Sequence, residues 1–241
     1  MIEILVAMAM LSILAGALAP FVVQEMNRTR RSDTSERLVR LMEGMVGRTS
    51  EGLFGYVGDM GGLPNSLTDL VQQGVQPAFT QTIYGFGVGW NGPYVTETAP
   101  SADPLMDAWG TAIDYSNTQA QVTSAASDHT LSTADDLVYP SIAAQTSGIL
   151  TVTVLGIPAG TSTTVPLTSA EVSGVVTVSN SGVLSTVGVS GSGPFYTSNP
   201  IHSGHHAVVI TGIGTYNTAS ATQVVQVVPG NTAITMTLVQ P

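Results

Sequence analysis

Apolar residues fill almost every position from Ile4 to Val23, and that stretch carries no charge. As a helix it would cover roughly 30 Å, the thickness of a bilayer's hydrocarbon core. Gly16 and Pro20 are its weak points, since both lower helix stability and proline also removes a backbone bond. Past Pro20 the pattern still reads as helix. "NRTRRSDTSER" (27–37) is polar all round, with Asp33/Arg37 and Glu36/Arg40 at i,i+4 spacing. Substitution within it, Thr34→Ala for example, is expected to affect assembly into a larger structure much less than substitution of Glu3. Leu38, Leu41, Met42, Met45 and Val46 then recur at helical period and form one apolar stripe that should lie on a compact domain. The pattern predicts a rod of roughly 70 Å, half of it projecting beyond any globular body.

Between 51 and 140 the segments are short. Ser66 with Asp69 three residues on predicts a capped short helix ended by Gly74. "GWNGPYV" and "DAWGTAIDYS" each set an aromatic beside a glycine turn and then a short strand, the second at 111–115. From 149 onward β-branched runs alternate with turns: "ILTVTVL", "VSGVVTV", "HAVVIT", "TQVVQVV" and "TAITMTLV". Regular short strands with Gly/Pro punctuation predict a β-sandwich, with the junction near Pro140–Ser147. The expected organisation is a helix over 1–50, a globular α+β unit over 51–144 and an all-β sandwich over 145–241.

Charge narrows the functional classes. The 241 residues contain no cysteine, which excludes disulfides and thiolate metal sites, and no lysine. The six arginines lie between Arg28 and Arg48; from Glu51 onward there are eleven acids and no lysine or arginine. So acidic a body is a poor partner for nucleic acid. The last hundred residues hold one formal charge, Glu171, and are rich in Ser and Thr, a composition that suits an extracellular surface. A cleavable signal peptide ending at Ala17-Leu18-Ala19 is the plain reading of the oily segment. Against it stand the missing basic n-region, the length of the apolar run and Pro20 just after the cut. A retained anchor leaves one residue unexplained: Glu3, a carboxylate at the edge of the slab, costly unless something pairs with it.

Residues 1–140 resemble type IV pilins and the pseudopilins of type II secretion. Glu3 matches the glutamate at the fifth position of the family's mature helix if two preceding residues are counted, and Pro20 then falls in register with the family's helix proline. Ser12 stands where the family usually has glycine. "GLPNSLTDLV", "WNGPYV" and "DAWGTAIDY" look like the body of the major pseudopilin, although Ala108 replaces the proline of its usual Asp-Pro-Trp-Gly. The resemblance implies an α+β pilin fold, a small antiparallel sheet packed on the C-terminal half of the long helix. "SAASDHTLSTADDLV" is similar to the subfamily's calcium-binding loop. The last hundred residues resemble, more weakly, carboxypeptidase regulatory-like (transthyretin-like) sandwich domains, with an immunoglobulin-like sandwich as the alternative.

Several residues could carry chemistry. Asp128, Asp135 and Asp136 are hard oxygen ligands within nine residues, suited to calcium, though without EF-hand spacing; the bland alternative is a solvated acidic loop. His202, His205 and His206 form an H-x-x-H-H cluster, but in a strand His205 and His206 point to opposite faces and cannot easily share an ion. "GVGWNG" (87–92) fits a nucleotide loop by letter only, since Pro93 follows at once and no βαβ unit surrounds it. No nucleophile elbow, thiol or basic residue beyond Arg48 supports an enzyme. Trp90, Trp109, Tyr94 and Tyr115 read as packing residues.

The expectation is a structural subunit that polymerises with copies of itself into a pilus-like or pseudopilus-like filament at the cell surface. Before assembly it would reside in the cytoplasmic membrane and engage an assembly machinery, with Glu3, Gly16 and Pro20 as its assembly residues. The competing expectation is a membrane-anchored adhesion or binding protein whose sandwich recognises a surface glycan or protein.

Overall fold

The computed structural model describes residues 2–96, 103–191, 193 and 195–241. Helix α1 (Ile2–Val46) runs unbroken through Pro20. Its C-terminal half is amphipathic: Leu38, Leu41, Met42 and Met45 are buried in one core with Tyr56, Met60, Leu67, Leu70, Ile113 and Val122. Gly47 follows the helix at φ +80°, donates its N–H to the Glu43 carbonyl at 2.8 Å, and leaves no room for a Cβ beside Leu53 and Phe54. Only glycine meets both demands, so the helix stops there.

The polar stretch behaves differently from the expectation. Thr34 is fully buried, and its Oγ1 accepts the Ala108 N–H at 3.0 Å. The Asp33/Arg37 and Glu36/Arg40 pairs are not formed; Arg37 donates instead to the Met106 carbonyl at 2.8 Å, and the ion pair among the described residues is Arg48–Glu51 at 3.2 Å. The body reaches one turn further up the helix than the apolar stripe shows, and it does so through polar contacts.

After helix α2 (Gly55–Met60), the predicted capped helix is a single 3₁₀ turn, Leu67–Leu70, with the Ser66/Asp69 capping box formed. It does not reach Gly74 because other groups claim its carbonyls. The Trp90 indole donates to Asp69 O at 2.7 Å and the Tyr94 N–H to Leu70 O at 2.8 Å. Strands β1 (Thr80–Gln81) and β2 (Gly87–Val88) form a hairpin. Strands β3 (Asp114–Ser116), β4 (Gln121–Ser124) and β5 (Leu137–Tyr139) make an antiparallel sheet against α1. The strand predicted from 111 begins at 114, since the N–H groups of Thr111 and Ile113 are held by Asp107 and Leu105.

The C-terminal region is two facing sheets. One centres on β6 (Ser147–Ile157), flanked by β7 (Val165–Pro166), β10 (Phe195–Thr197) and β11 (Ile201–His202), with β14 (Gly230–Val239) parallel to it. The other is antiparallel, in the order β13 (Ser220–Val227), β12 (Gly204–Gly212), β8 (Val172–Asn180) and β9 (Val183–Gly188). Leu150, Val152, Val154, Val176, Val208, Ile210 and Leu238 fill the space between them. Period-two alternation in β6 places residues 150, 152 and 154 inward, as a strand with one buried face requires. The sequence reading passed over β9, which is joined to β8 through Ser181-Gly182, both at positive φ.

The antiparallel sheet packs on the helical body. Phe86 and Val88 cover Ala207, and Phe54 meets His205 edge-on at 5.1 Å. Gly61, at φ +73°, lies so close to Ser179 that a Cβ would overlap the Ser179 carbonyl. The Ser179 hydroxyl donates to the Asp59 carbonyl at 2.7 Å, and the Gly182 N–H to Met60 O at 2.8 Å.

Candidate functional site

The first candidate is the free half of α1. Ile4, Met8, Met10, Leu11, Ile13, Leu14, Leu18, Phe21, Val22 and Val23 are all exposed, Ile13 at 73%. They point in every direction around the helix, so the segment is an apolar cylinder rather than an amphipathic face. Such a surface is unstable in water and is long and apolar enough to cross a membrane. Ser12 is no obstacle, since its hydroxyl donates to the Met8 carbonyl at 2.9 Å.

Glu3, Gly16 and Pro20 all lie on this free half, and the fold brings none of them against the body. Glu3 is exposed in the first turn. A Cβ at Gly16 would meet nothing within 4 Å, so the glycine answers to no packing demand inside the chain. Pro20 lacks the N–H that would bond the Gly16 carbonyl. Together the two residues leave one carbonyl without its helical donor and one bare patch of backbone.

The acidic loop is the second candidate. A 3₁₀ turn (Ala126–Asp128) and three positive-φ residues, Ala126, His129 and Ser132, fold it back on itself. One carboxylate oxygen from each of Asp128, Asp135 and Asp136 then lies within 4.8 Å of the others. Calcium–oxygen distances of 2.3–2.6 Å set ligands on one ion up to about 5 Å apart, so the three fit a single hard cation. Ser127 donates to Asp135 through both N–H (3.1 Å) and hydroxyl (2.8 Å), and Thr133 Oγ1 to its other oxygen at 2.8 Å. The Thr133 and Ser127 hydroxyls lower the Asp135 pKa to about 2, so it stays ionised throughout the physiological range.

The three histidines diverge. His205 faces the helical body beside Phe54, while His206 turns into the sandwich, fully buried, its Nε2 bonded to the His202 carbonyl at 2.8 Å. Burial lowers the His206 pKa to about 4. The Nδ1 atoms of His202 and His206 and the Ser203 hydroxyl are buried without partners. Trp90, Tyr94 and Tyr115 serve packing, with polar ends bonded to Asp69 O, Asp59 Oδ2 and Pro64 O; the Trp109 indole N–H is buried and unpartnered. "GVGWNG" is β2 and the turn after it.

Two structural residues escaped the sequence reading. Asp107, buried, accepts the N–H groups of Trp109 and Thr111 on one oxygen and the Ser124 hydroxyl on the other. Asp59, packed at the junction of the two regions, accepts from Tyr94 at 2.9 Å, and desolvation raises its pKa to about 6. Only the Asp-x-Trp-Gly turn hinted at the first; nothing local marked the second.

No protein-family model matches the chain, and no curated protein matches it. Among solved structures, 40% of the chain superposes on 46% of GBS52, a minor pilin of Streptococcus agalactiae, at 15% identity and a TM-score of 0.27. A further match covers 44% of the chain and 18% of the Bacillus anthracis TIE protein at 17% identity and a TM-score of 0.28. The chain therefore corresponds to less than half of either protein, and likenesses of this size decide neither fold nor function.

Proposed function

We propose that this protein is the repeating subunit of a pilus-like or pseudopilus-like surface filament. The observation that carries the proposal is the free half of α1, apolar on every side with a single carboxylate in its first turn. In a bilayer that cylinder is solvated by lipid tails; in a filament the same surface is buried against neighbouring helices. The transfer exchanges one apolar surrounding for another and sacrifices little hydrophobic stabilisation.

Glu3 supplies what the apolar surface lacks. An oily cylinder can slide along its neighbours, whereas a carboxylate in low dielectric admits one docking position if a positive charge waits there. Arg28, the nearest arginine in the chain, is roughly 37 Å along the helix. The partner in this reading is the N-terminal amine of an adjacent subunit, the pairing that the pilin resemblance implies. Unpaired, the carboxylate would cost several kcal/mol at that depth. The acidic loop is assigned a structural cation, most simply calcium, held by Asp128, Asp135 and Asp136.

Electron microscopy of material sheared from cells tests the proposal. Wild-type cells should yield long fibres containing this chain. Glu3→Ala and Glu3→Gln should leave the protein in the membrane and abolish fibres, and wild-type yield from either variant would remove Glu3 from assembly. The second reading, an anchored binding protein, draws on a 570 Å³ cleft beside α2, lined by Phe54, Phe79, Tyr94, Asn91 and Arg40. Monomeric membrane protein with no fibres would favour it.

A further inference from the structure

Where α1 leaves the body, a 310 Å³ notch opens between the helix and the top of the small sheet's loops. Gln24, Asn27, Arg28 and Arg31 line its helix side; Trp109, Ala126 and Ser127 line the other. Arg28 and Arg31 are exposed and take part in no ion pair among the described residues. Trp109 contributes its ring to the lining, its indole N–H being buried away from solvent. The notch thus gathers two guanidinium forks and two side-chain amides. A guanidinium can only donate. The ligand they call for is an oxyanion with several acceptor oxygens.

Its height on the molecule says which. The uncharged stretch of α1 ends at Val23, and Arg28 lies five residues on, about 7 Å along the axis. The polar layer of a bilayer adds roughly 5–8 Å on each side of the hydrocarbon core. With the apolar cylinder in the membrane, the notch sits at the depth of the lipid phosphates. Tryptophan and arginine are the residues that favour this depth, and arginine binds phosphate as a two-pronged donor.

We propose that the notch formed by Arg28, Arg31 and Trp109 binds the phosphate of a membrane phospholipid and seats the globular body against the bilayer before assembly. The inference rests on the membrane-anchored state of α1 in the reading above. Departure from the membrane would then require the arginines to give up lipid phosphate, a step separate from the docking of Glu3.

Full-length protein extracted in mild detergent from phosphatidylethanolamine/phosphatidylglycerol membranes is examined by native mass spectrometry. Wild type should retain phospholipid. Arg28→Gln/Arg31→Gln should lower retention about tenfold, the scale of losing a charge-assisted pair. Arg30→Gln/Arg48→Gln removes the same charge outside the notch and should retain lipid as wild type does. Equal loss in both double variants would overturn the site. Trp90→Phe leaves Trp109 as the sole tryptophan, which in nanodiscs should be quenched by a spin label on the headgroup more than by one at the chain centre. Quenching unaffected by the Arg28/Arg31 double substitution would overturn it too. Displacement of retained lipid by millimolar inorganic phosphate would reassign the notch to free phosphate, and a retained neighbour subunit in place of lipid would reassign it to a protein carboxylate. Carbonate extraction keeps the two readings apart. Protein released by carbonate overturns the anchor, whereas embedded protein without retained lipid overturns only the notch.

Discussion

Acidification should weaken the sandwich chiefly through His206. Its ring is fully buried, with burial lowering the folded-state pKa to about 4 against an ordinary 6.5. A group that is harder to protonate in the folded chain leaves the unfolded chain binding the extra proton between those values. Stability is therefore fully present above pH 6.5 and is lost as pH falls towards 4. The gap corresponds to about 3 kcal/mol, a large share of a small domain's stability. Asp59 works the other way. Its carboxyl is raised to about 6 from 3.8, so stability is gained as pH falls through that interval, and the wild-type profile sums these two with the contribution of His205, whose pKa burial also lowers. Urea unfolding of the detergent-solubilised chain, followed by circular dichroism from pH 7.5 to 4.5, separates them when wild type is compared with His206→Leu. The fixed cost of the substitution, including loss of the bond to the His202 carbonyl, cancels in the slopes. Wild type should lose more stability across the interval by about 2–3 kcal/mol, and Asp59→Asn should steepen its decline. Parallel profiles for wild type and His206→Leu would refute the argument, as would a His206 ring that titrates above pH 6 by NMR.

Three further perturbations test other parts of the structure. Thr34→Val should destabilise the helical body by about 1–3 kcal/mol, because the Ala108 N–H loses its acceptor. Ala108 sits second in a turn closed by the Gly110 N–H on Asp107 O, a position that suits proline, so adding Ala108→Pro should recover part of the loss by removing the orphaned donor. Thermal melts of wild type and the two variants read this out, and an unchanged Thr34→Val melting temperature would contradict it. Gly61→Ala must place a Cβ on the Ser179 carbonyl at a positive φ, so faster proteolysis around 140–147 is expected from a loosened junction, and wild-type resistance would show that the contact yields cheaply. Chelator should lower the melting temperature of wild type and leave Asp136→Ala unaffected; identical wild-type melts with and without chelator would return Asp128, Asp135 and Asp136 to a solvated loop.

What the chain determines locally could be read from its order of residues. The long helix follows from an uninterrupted apolar run joined to a period-3.6 stripe, and the C-terminal sheets from period-two alternation between turns. Both patterns report one segment's own preference for a nonpolar surrounding. The acidic loop was legible too, because its three aspartates lie within nine residues. Contacts set by distant segments were not. Thr34 looks solvated until the loop at Ala108, 74 residues on, closes over it. The Ser66 turn looks like a full helix until Trp90 and Tyr94 take its carbonyls. His206 lies next to His205 in sequence, yet alternation across one strand puts the first inside the sandwich and the second against Phe54. The notch at Arg28, Arg31 and Trp109 joins segments 78 residues apart (109 minus 31). Hydrophobic periodicity can say that a side chain is buried, but a polar side chain is buried only when a particular distant partner satisfies it, and the choice of that partner belongs to the tertiary fold.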